Sequence, residues 1–249
     1  MRRCYCFVLV ISLCFVLLCC HLPVLGLSVD FETEELAEEE RRQFEKFTNL
    51  SLLQNEPSKS AIDDFCVNEA GMIAIVSNER VFSFERTICV YDCDGVFQYG
   101  YSFQQQGEIA IEWEERQQLW IYGQRDRDMI LINRQGEIQD YKRFTDTREN
   151  RTQWNAIKCA DQQVGDKKYI IRNDMGIFNI LKSSYSQVVM IDSDGREVVL
   201  YDVNAQQLAK ALIWAISISV FILVIAIVFV FSLRKWMCRQ PTENYKRYK

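Results

Sequence analysis

Apolar and polar residues alternate through the middle of the chain, in short runs rich in β-branched and aromatic side chains. A period of two is typical of β-strands with one buried face. The pattern starts near Ile62 and predicts antiparallel strands at Phe65–Val67, Met72–Val76, Thr87–Tyr91, Val96–Phe103, Glu108–Trp113, Leu119–Tyr122, Met129–Asn133, Glu137–Phe144, Tyr169–Arg172, Gly176–Leu181, Val188–Ile191 and Glu197–Tyr201. A mainly β domain over residues 62–205 is therefore expected.

Three glycines mark hairpin turns at matching places in this pattern. Gly95, Gly136 and Gly195 each follow an apolar strand and precede an alternating one, and glycine adopts the positive φ of such turns without steric cost. Gly136 lies 41 residues after Gly95, within the roughly 40–45 residues of a four-stranded propeller blade. Gly195 lies 59 residues after Gly136, and we place the additional residues in two loops, Asp146–Thr152 and Ala160–Asp166.

The segments around these glycines, CVYDCDGVFQYGYSF, ILINRQGEIQDYKRF and VVMIDSDGREVVLYD, resemble the strand–turn–strand ending of NHL-like and related β-propeller repeats. The resemblance covers Ile62 to Tyr201 and implies antiparallel, propeller-like repeats with about three blades. It implies little about activity, because propellers host many functions. Propellers usually close with four to eight blades, so a protein partner, a second copy or the chain's own acidic segment is expected to cover the remaining edges.

The stretch Ala211–Leu233 contains no charged residue and is long enough to cross a bilayer as a helix. Positive residues follow it at Arg234, Lys235, Arg239, Lys246, Arg247 and Lys249. Positive flanks mark the cytoplasmic side. We therefore predict a single transmembrane helix, with residues 234–249 as a basic cytoplasmic tail that contacts membrane lipid.

Residues 1–26 have the charged start, apolar middle and small-residue end of a secretory signal peptide. An uncleaved anchor over Phe7–Leu27 is the alternative, and Cys19-Cys20 allows a bacterial lipoprotein signal. The first two readings place the middle of the chain outside the cytoplasm.

Residues 27–61 form an acidic segment and a polar linker. Within it, Val29–Phe47 predicts a solvated helix or, alternatively, a disordered spacer. Asn49-Leu50-Ser51 and Asn150-Arg151-Thr152 would be N-glycosylation acceptors in a eukaryotic secretory pathway and inert in a bacterium.

Four of the ten cysteines belong to the predicted exported domain, and they are Cys66, Cys89, Cys93 and Cys159. An oxidising compartment favours at least one disulfide among them, with the pairing open. Their spacing fits no zinc site.

Catalytic chemistry finds little support. The single histidine, His21, lies in the predicted signal, and the chain has no GxSxG, Walker or GxGxxG motif. We therefore expect no enzyme, cofactor or metal. The net charge of −5 and the absence of a basic patch in the main domain argue against nucleic acid. Five aromatic residues form either a sugar- or peptide-binding face or core, and they are Tyr99, Tyr101, Trp113, Trp120 and Tyr122.

These features predict a membrane-anchored extracytoplasmic β domain with a non-catalytic binding or assembly role. The alternative is an accessory or structural subunit of a transport or secretion complex, and the third possibility is an enzyme that uses paired carboxylates.

Overall fold

The structure, a computed structural model, describes residues 31–77, 84–114, 117–176, 179 and 184–238. The predicted signal peptide, residues 1–26, and the tail beyond Cys238 lie outside the described residues. Within them the chain forms fourteen β-strands and three α-helices, all in the unit Glu32–Lys249. The mainly β class and the antiparallel pairing are confirmed.

The strands, numbered in chain order, form three antiparallel sheets. Sheet 1 has the order β2-β6-β5-β4-β3 and contains β2 (Ser51–Leu53), β3 (Ile62–Val67), β4 (Ile73–Ser77), β5 (Glu85–Tyr91) and β6 (Phe97–Gln104). Sheet 2 has the order β1-β10-β9-β8-β7 and contains β1 (Thr33–Glu34), β7 (Ile109–Glu114), β8 (Gln118–Gly123), β9 (Asp128–Ile132) and β10 (Ile138–Phe144). Sheet 3 has the order β11-β12-β13-β14 and contains β11 (Asp161–Val164), β12 (Lys167–Arg172), β13 (Gln187–Ile191) and β14 (Glu197–Asp202). The helices are α1 (Glu38–Thr48), α2 (Arg148–Ile157) and α3 (Asn204–Cys238).

Sheet 1 lies between the other two sheets, and both of its faces are buried. Alternate residues of β4 point in opposite directions: Ala74 and Val76 join the core shared with sheet 2, whereas Ile73 and Ile75 join the core shared with sheet 3. The four residues are at most 2% exposed. Sheet 1 thus holds the domain together.

Each sheet contains a meander of four consecutive strands, and the sheets pack face to face with their first strands nearest one another. Strand β3 contacts β7 of sheet 2 and β11 of sheet 3. This arrangement is consistent with a propeller-like fold.

The acidic N-terminal segment covers two outer strands. Strand β1 pairs with β10, β2 pairs with β6, and α1 lies between them, with the Phe44 and Tyr141 rings stacked 4.3 Å apart between centroids. The expected helix is present over a shorter range. The disordered-spacer alternative is wrong, because α1 forms and strand pairing orders residues on both sides of it.

Two sequence-based assignments in sheet 3 are wrong. Within the expected strand Gly176–Leu181, the two residues that the structure describes, Gly176 and Asn179, are in 3₁₀ conformation and not extended. The first strand is instead β11, within the expected loop Ala160–Asp166. The polar sequence of β11 forms a strand because the Gln162 side chain accepts the Val67 N–H at 2.8 Å and donates to the Phe65 carbonyl at 3.2 Å. Helix α2 likewise occupies most of the other expected loop, Asp146–Thr152.

The three turn glycines share one geometry. Gly95, Gly136 and Gly195 have φ of 78°, 79° and 77°. In each turn the Asp or Asn three residues earlier accepts the glycine N–H through its backbone carbonyl. Its side-chain oxygen accepts two further backbone N–H groups. Gly71 has the same φ and the same partners at Asn68.

Helix α3 contains the predicted span and begins seven residues before it. The most apolar window of Asn204–Arg234 has a mean hydropathy of 3.0, and none of that window is buried in the protein. The helix is thus long and apolar enough to cross a membrane once.

Candidate functional site

The outer edge of sheet 3 differs from those of sheets 1 and 2. In sheets 1 and 2 the fourth strand of the meander carries a fifth strand from the N-terminal segment. In sheet 3 the fourth strand is β14, and no strand within the described ranges pairs with its outer edge. An open edge presents backbone N–H and C=O groups that can pair with another chain.

Strand β14 also carries exposed apolar side chains. Val198 and Val199 are 44% and 46% exposed, and they are neighbours in an edge strand of six residues. The covering strands β1 and β2 are only two and three residues long. Strand β14 is therefore the longest outer edge strand that the structure describes, and its side chains suit an apolar partner strand.

The open edge is held close to the apolar helix α3. Helix α3 starts two residues after β14 ends. The Val203 N–H donates to the Ser186 carbonyl at 2.9 Å, and Val203, Gln207 and Ala211 are buried. The first turns of α3 thus belong to the folded domain, and no flexible linker separates β14 from the predicted span.

A pocket of about 490 Å³ lies where the β8–β9 turn, the end of β10 and helix α2 meet. Three of its lining residues are arginines, Arg125, Arg127 and Arg151. The Arg151 guanidinium pairs with Asp146 at 2.8 Å. Arg125 and Arg127 are exposed and have no carboxylate partner within the described residues. Guanidinium groups bind carboxylate and phosphate oxygens, so this pocket suits a small anion.

The side of the pocket formed by α2 is packed and hydrogen-bonded against neighbouring segments of the domain. The Phe144 and Trp154 rings lie 6.4 Å apart. Asn150 donates to the carbonyls of Glu32 and Thr145 at 3.0 and 2.8 Å, and its Oδ1 accepts the Glu32 N–H at 3.0 Å. This amide fastens α2 to the segment that enters β1.

Asp64 lies at the junction of the first strands. Its Oδ2 accepts the Ile111 N–H of β7 at 2.9 Å, and burial raises its pKa to about 8 despite that hydrogen bond. Burial also raises the pKa of Asp128 to about 7, although the Gln105 amide donates to it. The pKa of Glu112 is raised by burial, and Glu112 accepts the Tyr122 hydroxyl at 3.0 Å.

Each of these buried acids accepts a hydrogen bond from a residue outside its own strand. None of them lines the arginine-lined pocket. Among the described residues, no group of three or more His, Cys, Asp or Glu side chains is placed to hold a metal ion. Asp92, Asp94, Asp192 and Asp194 lie in the glycine turns, where Asp92 and Asp192 accept backbone N–H groups.

The five aromatic residues proposed as a binding face do not form one. Tyr99 and Tyr101 are buried in the core between sheets 1 and 2, and Trp113 packs against that core. Tyr122 is 2% exposed. The half-buried Trp120 stacks on it at 6.2 Å and donates to Glu114. Tyr99 and Tyr101 belong to β6 of sheet 1, whereas in sheet 2 Trp113 lies on the face of this core and Trp120 and Tyr122 lie on the opposite face.

No disulfide links the four cysteines of the domain: Cys66, Cys93 and Cys159 are free thiols. Cys66 and Cys89 lie in the same sheet but face different cores, so they cannot pair. Burial raises the pKa of the Cys66 and Cys159 thiols, which disfavours the reactive thiolate.

Sequence reasoning missed the β14 edge and the arginine-lined pocket. The edge depends on which strands the N-terminal segment covers, and β1 and β2 are too short to show a period. The pocket joins a turn, a strand end and a helix that are far apart in sequence. The local signal was the pair of arginines, Arg125 and Arg127, in the QRDRD sequence at Gln124–Asp128.

Comparisons with known proteins add little. No protein-family model matches the sequence, and no curated protein sequence matches it either. A solved structure that resembles it is that of selenomethionine-substituted virginiamycin B lyase from Staphylococcus aureus, with 11% sequence identity and a TM-score of 0.26. The match covers 62% of this chain, which spans 45% of the length of the lyase. A likeness of that size carries no inference about this chain.

Proposed function

We propose that the chain is a membrane-anchored extracytoplasmic β domain with a non-catalytic binding or assembly role, and that it binds a protein partner through the outer edge of β14. The open edge carries this proposal. The chain covers the corresponding strands β6 and β10 with its own N-terminal segment and leaves β14 without a covering strand within the described residues.

The proposal includes the membrane topology. The signal-like residues 1–26 export the domain, α3 crosses the membrane once, and the basic residues after Leu233 stay in the cytoplasm. Because α3 starts two residues after β14 ends, the edge faces neighbours in the same membrane. Confinement to a plane raises the effective concentration of such neighbours.

The partner strand completes the β array. The three sheets act as three blades of an incomplete propeller-like array, to which either another protein or a second copy of the chain adds strands. Val198 and Val199 would contact apolar side chains of the added strand, as cross-strand pairs do.

A pair of lysine substitutions tests the edge. V198K/V199K adds two charges to the exposed side chains of β14, and lysine on an edge strand opposes pairing. The control is V96K, at a residue that is 57% exposed in the Gly95 turn. After mild detergent extraction, V198K/V199K should lose the co-purifying protein or the dimer, and V96K should keep it. Equal recovery with both variants would contradict the proposal.

The second candidate, an accessory subunit of a membrane complex, is favoured by the tight junction between β14 and α3. In that case the partner contacts the span as well as the domain. Replacing residues 212–233 with an unrelated apolar helix would abolish co-purification if the subunit role is correct. Binding through β14 alone would survive the replacement.

A further inference from the structure

Two Asn-x-Ser/Thr motifs have opposite environments in the folded domain. Asn49 is exposed at the end of α1, whereas Asn150 is 2% exposed inside α2. We propose that, in a eukaryotic secretory pathway, Asn49 is the N-glycosylation site of the folded protein and that Asn150 carries no glycan. This inference rests on the proposed export of the domain, and it adds a modification site next to the covered edge of sheet 1.

The modification is a group transfer from a lipid-linked oligosaccharide. The Asn49 Nδ2 forms a bond to the anomeric carbon of the first sugar and loses a proton. The bond from that carbon to the lipid pyrophosphate breaks, and the pyrophosphate leaves with the electron pair. No oxidant or reductant is required.

The geometry at Asn49 leaves its amide available. Its backbone is left-handed, with φ of 44°, and its N–H donates to the Glu45 carbonyl at 3.3 Å as the cap of α1. No hydrogen bond of its side chain occurs within the described residues. Ser51, the third residue of the motif, is exposed, and its Oγ donates to the Ser102 carbonyl at 3.3 Å. A glycan on Asn49 therefore displaces no contact of the fold.

Asn150 cannot carry a glycan in this fold. Its Nδ2 has two hydrogens, and it donates to the Glu32 and Thr145 carbonyls. A glycan replaces one of these hydrogens and needs space that a side chain at 2% exposure lacks. A chain glycosylated there would lose the contact between α2 and the entry to β1, leaving a buried carbonyl without its donor. Such chains would not fold, so the folded pool carries an unmodified Asn150.

The position of Asn49 suggests what the glycan does. It adjoins Phe47 and Leu52, which are 44% and 42% exposed, and strand β2, whose outer edge no strand within the described ranges covers. A hydrated oligosaccharide there shields this edge from pairing. The edge of β14 then remains the open one.

The test uses the full chain expressed in a eukaryotic secretory host, with the membrane fraction treated with peptide-N-glycosidase. Substitution of the third motif residue removes an acceptor without touching the asparagine, so S51A is compared with T152A. Thr152 donates only to the Arg148 carbonyl of its own helix, so T152A should fold. A third variant, S58N, creates an additional acceptor at an exposed residue of the linker and reports export independently.

The wild type and T152A should each lose the mass of one glycan on treatment, S51A should lose none, and S58N should lose two. Occupancy at Asn150 in folded protein, or retention of the shift in S51A, would overturn the inference. If S58N loses the mass of one glycan and the wild type loses none, glycosylation at Asn49 is overturned while export of the domain is supported. No shift in any variant would overturn both the export and this inference.

Discussion

Neutralising Asp64 should change how the stability of the domain depends on pH. Asp64 is 2% exposed and has a pKa of about 8 in the fold, against about 3.9 in an unfolded chain. Between about pH 4 and pH 8 the folded chain therefore keeps a proton on Asp64 that the unfolded chain has released. This contribution to stability is complete below the unfolded pKa and is lost as the pH rises through the folded pKa.

The magnitude follows from the two pKa values. Each pH unit in this window lowers the free energy of unfolding by about 1.4 kcal/mol for one proton. Between about pH 5 and pH 7 the loss from Asp64 is about 2.5 kcal/mol. Asp64→Asn stays neutral at every pH and keeps an oxygen for the Ile111 N–H. As the pH rises from about 5 to about 7, the free energy of unfolding of D64N should therefore increase by about 2.5 kcal/mol relative to that of the wild type.

The assay is urea unfolding of residues 28–210, produced in a bacterial host and followed by tryptophan fluorescence. Other buried acids such as Asp128 titrate in both proteins, so only the difference between the two curves is interpreted. D166N, at an exposed position in the β11–β12 turn, serves as the control and should run parallel to the wild type. If D64N also runs parallel to the wild type, the reasoning about Asp64 is refuted.

Three further pairs of variants test the fold by melting temperature. G95A should lower the melting temperature more than G195A. Both turns have positive φ, but a Cβ at Gly95 would lie 2.6 Å from the Leu200 carbonyl oxygen, whereas nothing lies within 4 Å of a Cβ at Gly195. Equal losses would contradict this packing. F44A should lower the free energy of unfolding by about 2 kcal/mol, because it removes the ring stacked on Tyr141. F47A changes an exposed residue of the same helix and should lower it by less than about 0.5 kcal/mol. The reverse order would refute the placement of α1. Q162L should lower the free energy of unfolding by about 1–3 kcal/mol, because it leaves the Val67 N–H and the Phe65 carbonyl without these partners. Q163L, at an exposed position, should be near neutral. A neutral Q162L would contradict the anchoring of β11.

The sequence predicts the strands of sheets 1 and 2 well because their apolar alternation is local. Strand β4, for example, was expected at Met72–Val76 and is observed at Ile73–Ser77. Strand β4 is almost wholly apolar because both faces of sheet 1 are buried. The turn at Gly95 was also recognisable, because the Asp and Gly residues that form it lie next to each other in sequence.

The elements that sequence reasoning missed depend on distant contacts. Strand β11 is polar and exists because Gln162 reaches the backbone of β3, about 95 residues away in sequence. Strand β1 has two residues, too few for a period, and it is fixed by its pairing with β10. The open edge of β14 follows from these pairings, so local pattern could not reveal it.

Photo-crosslinking in native membranes tests the binding role of β14 most directly. A benzophenone-bearing amino acid is placed at Val198 in the full chain, and a matched one is placed at Val96, which is also exposed. The proposal predicts a discrete protein adduct from position 198, to another protein or to a second copy, and none of that mass from position 96. The absence of an adduct at position 198, or the same adduct from both positions, would contradict it.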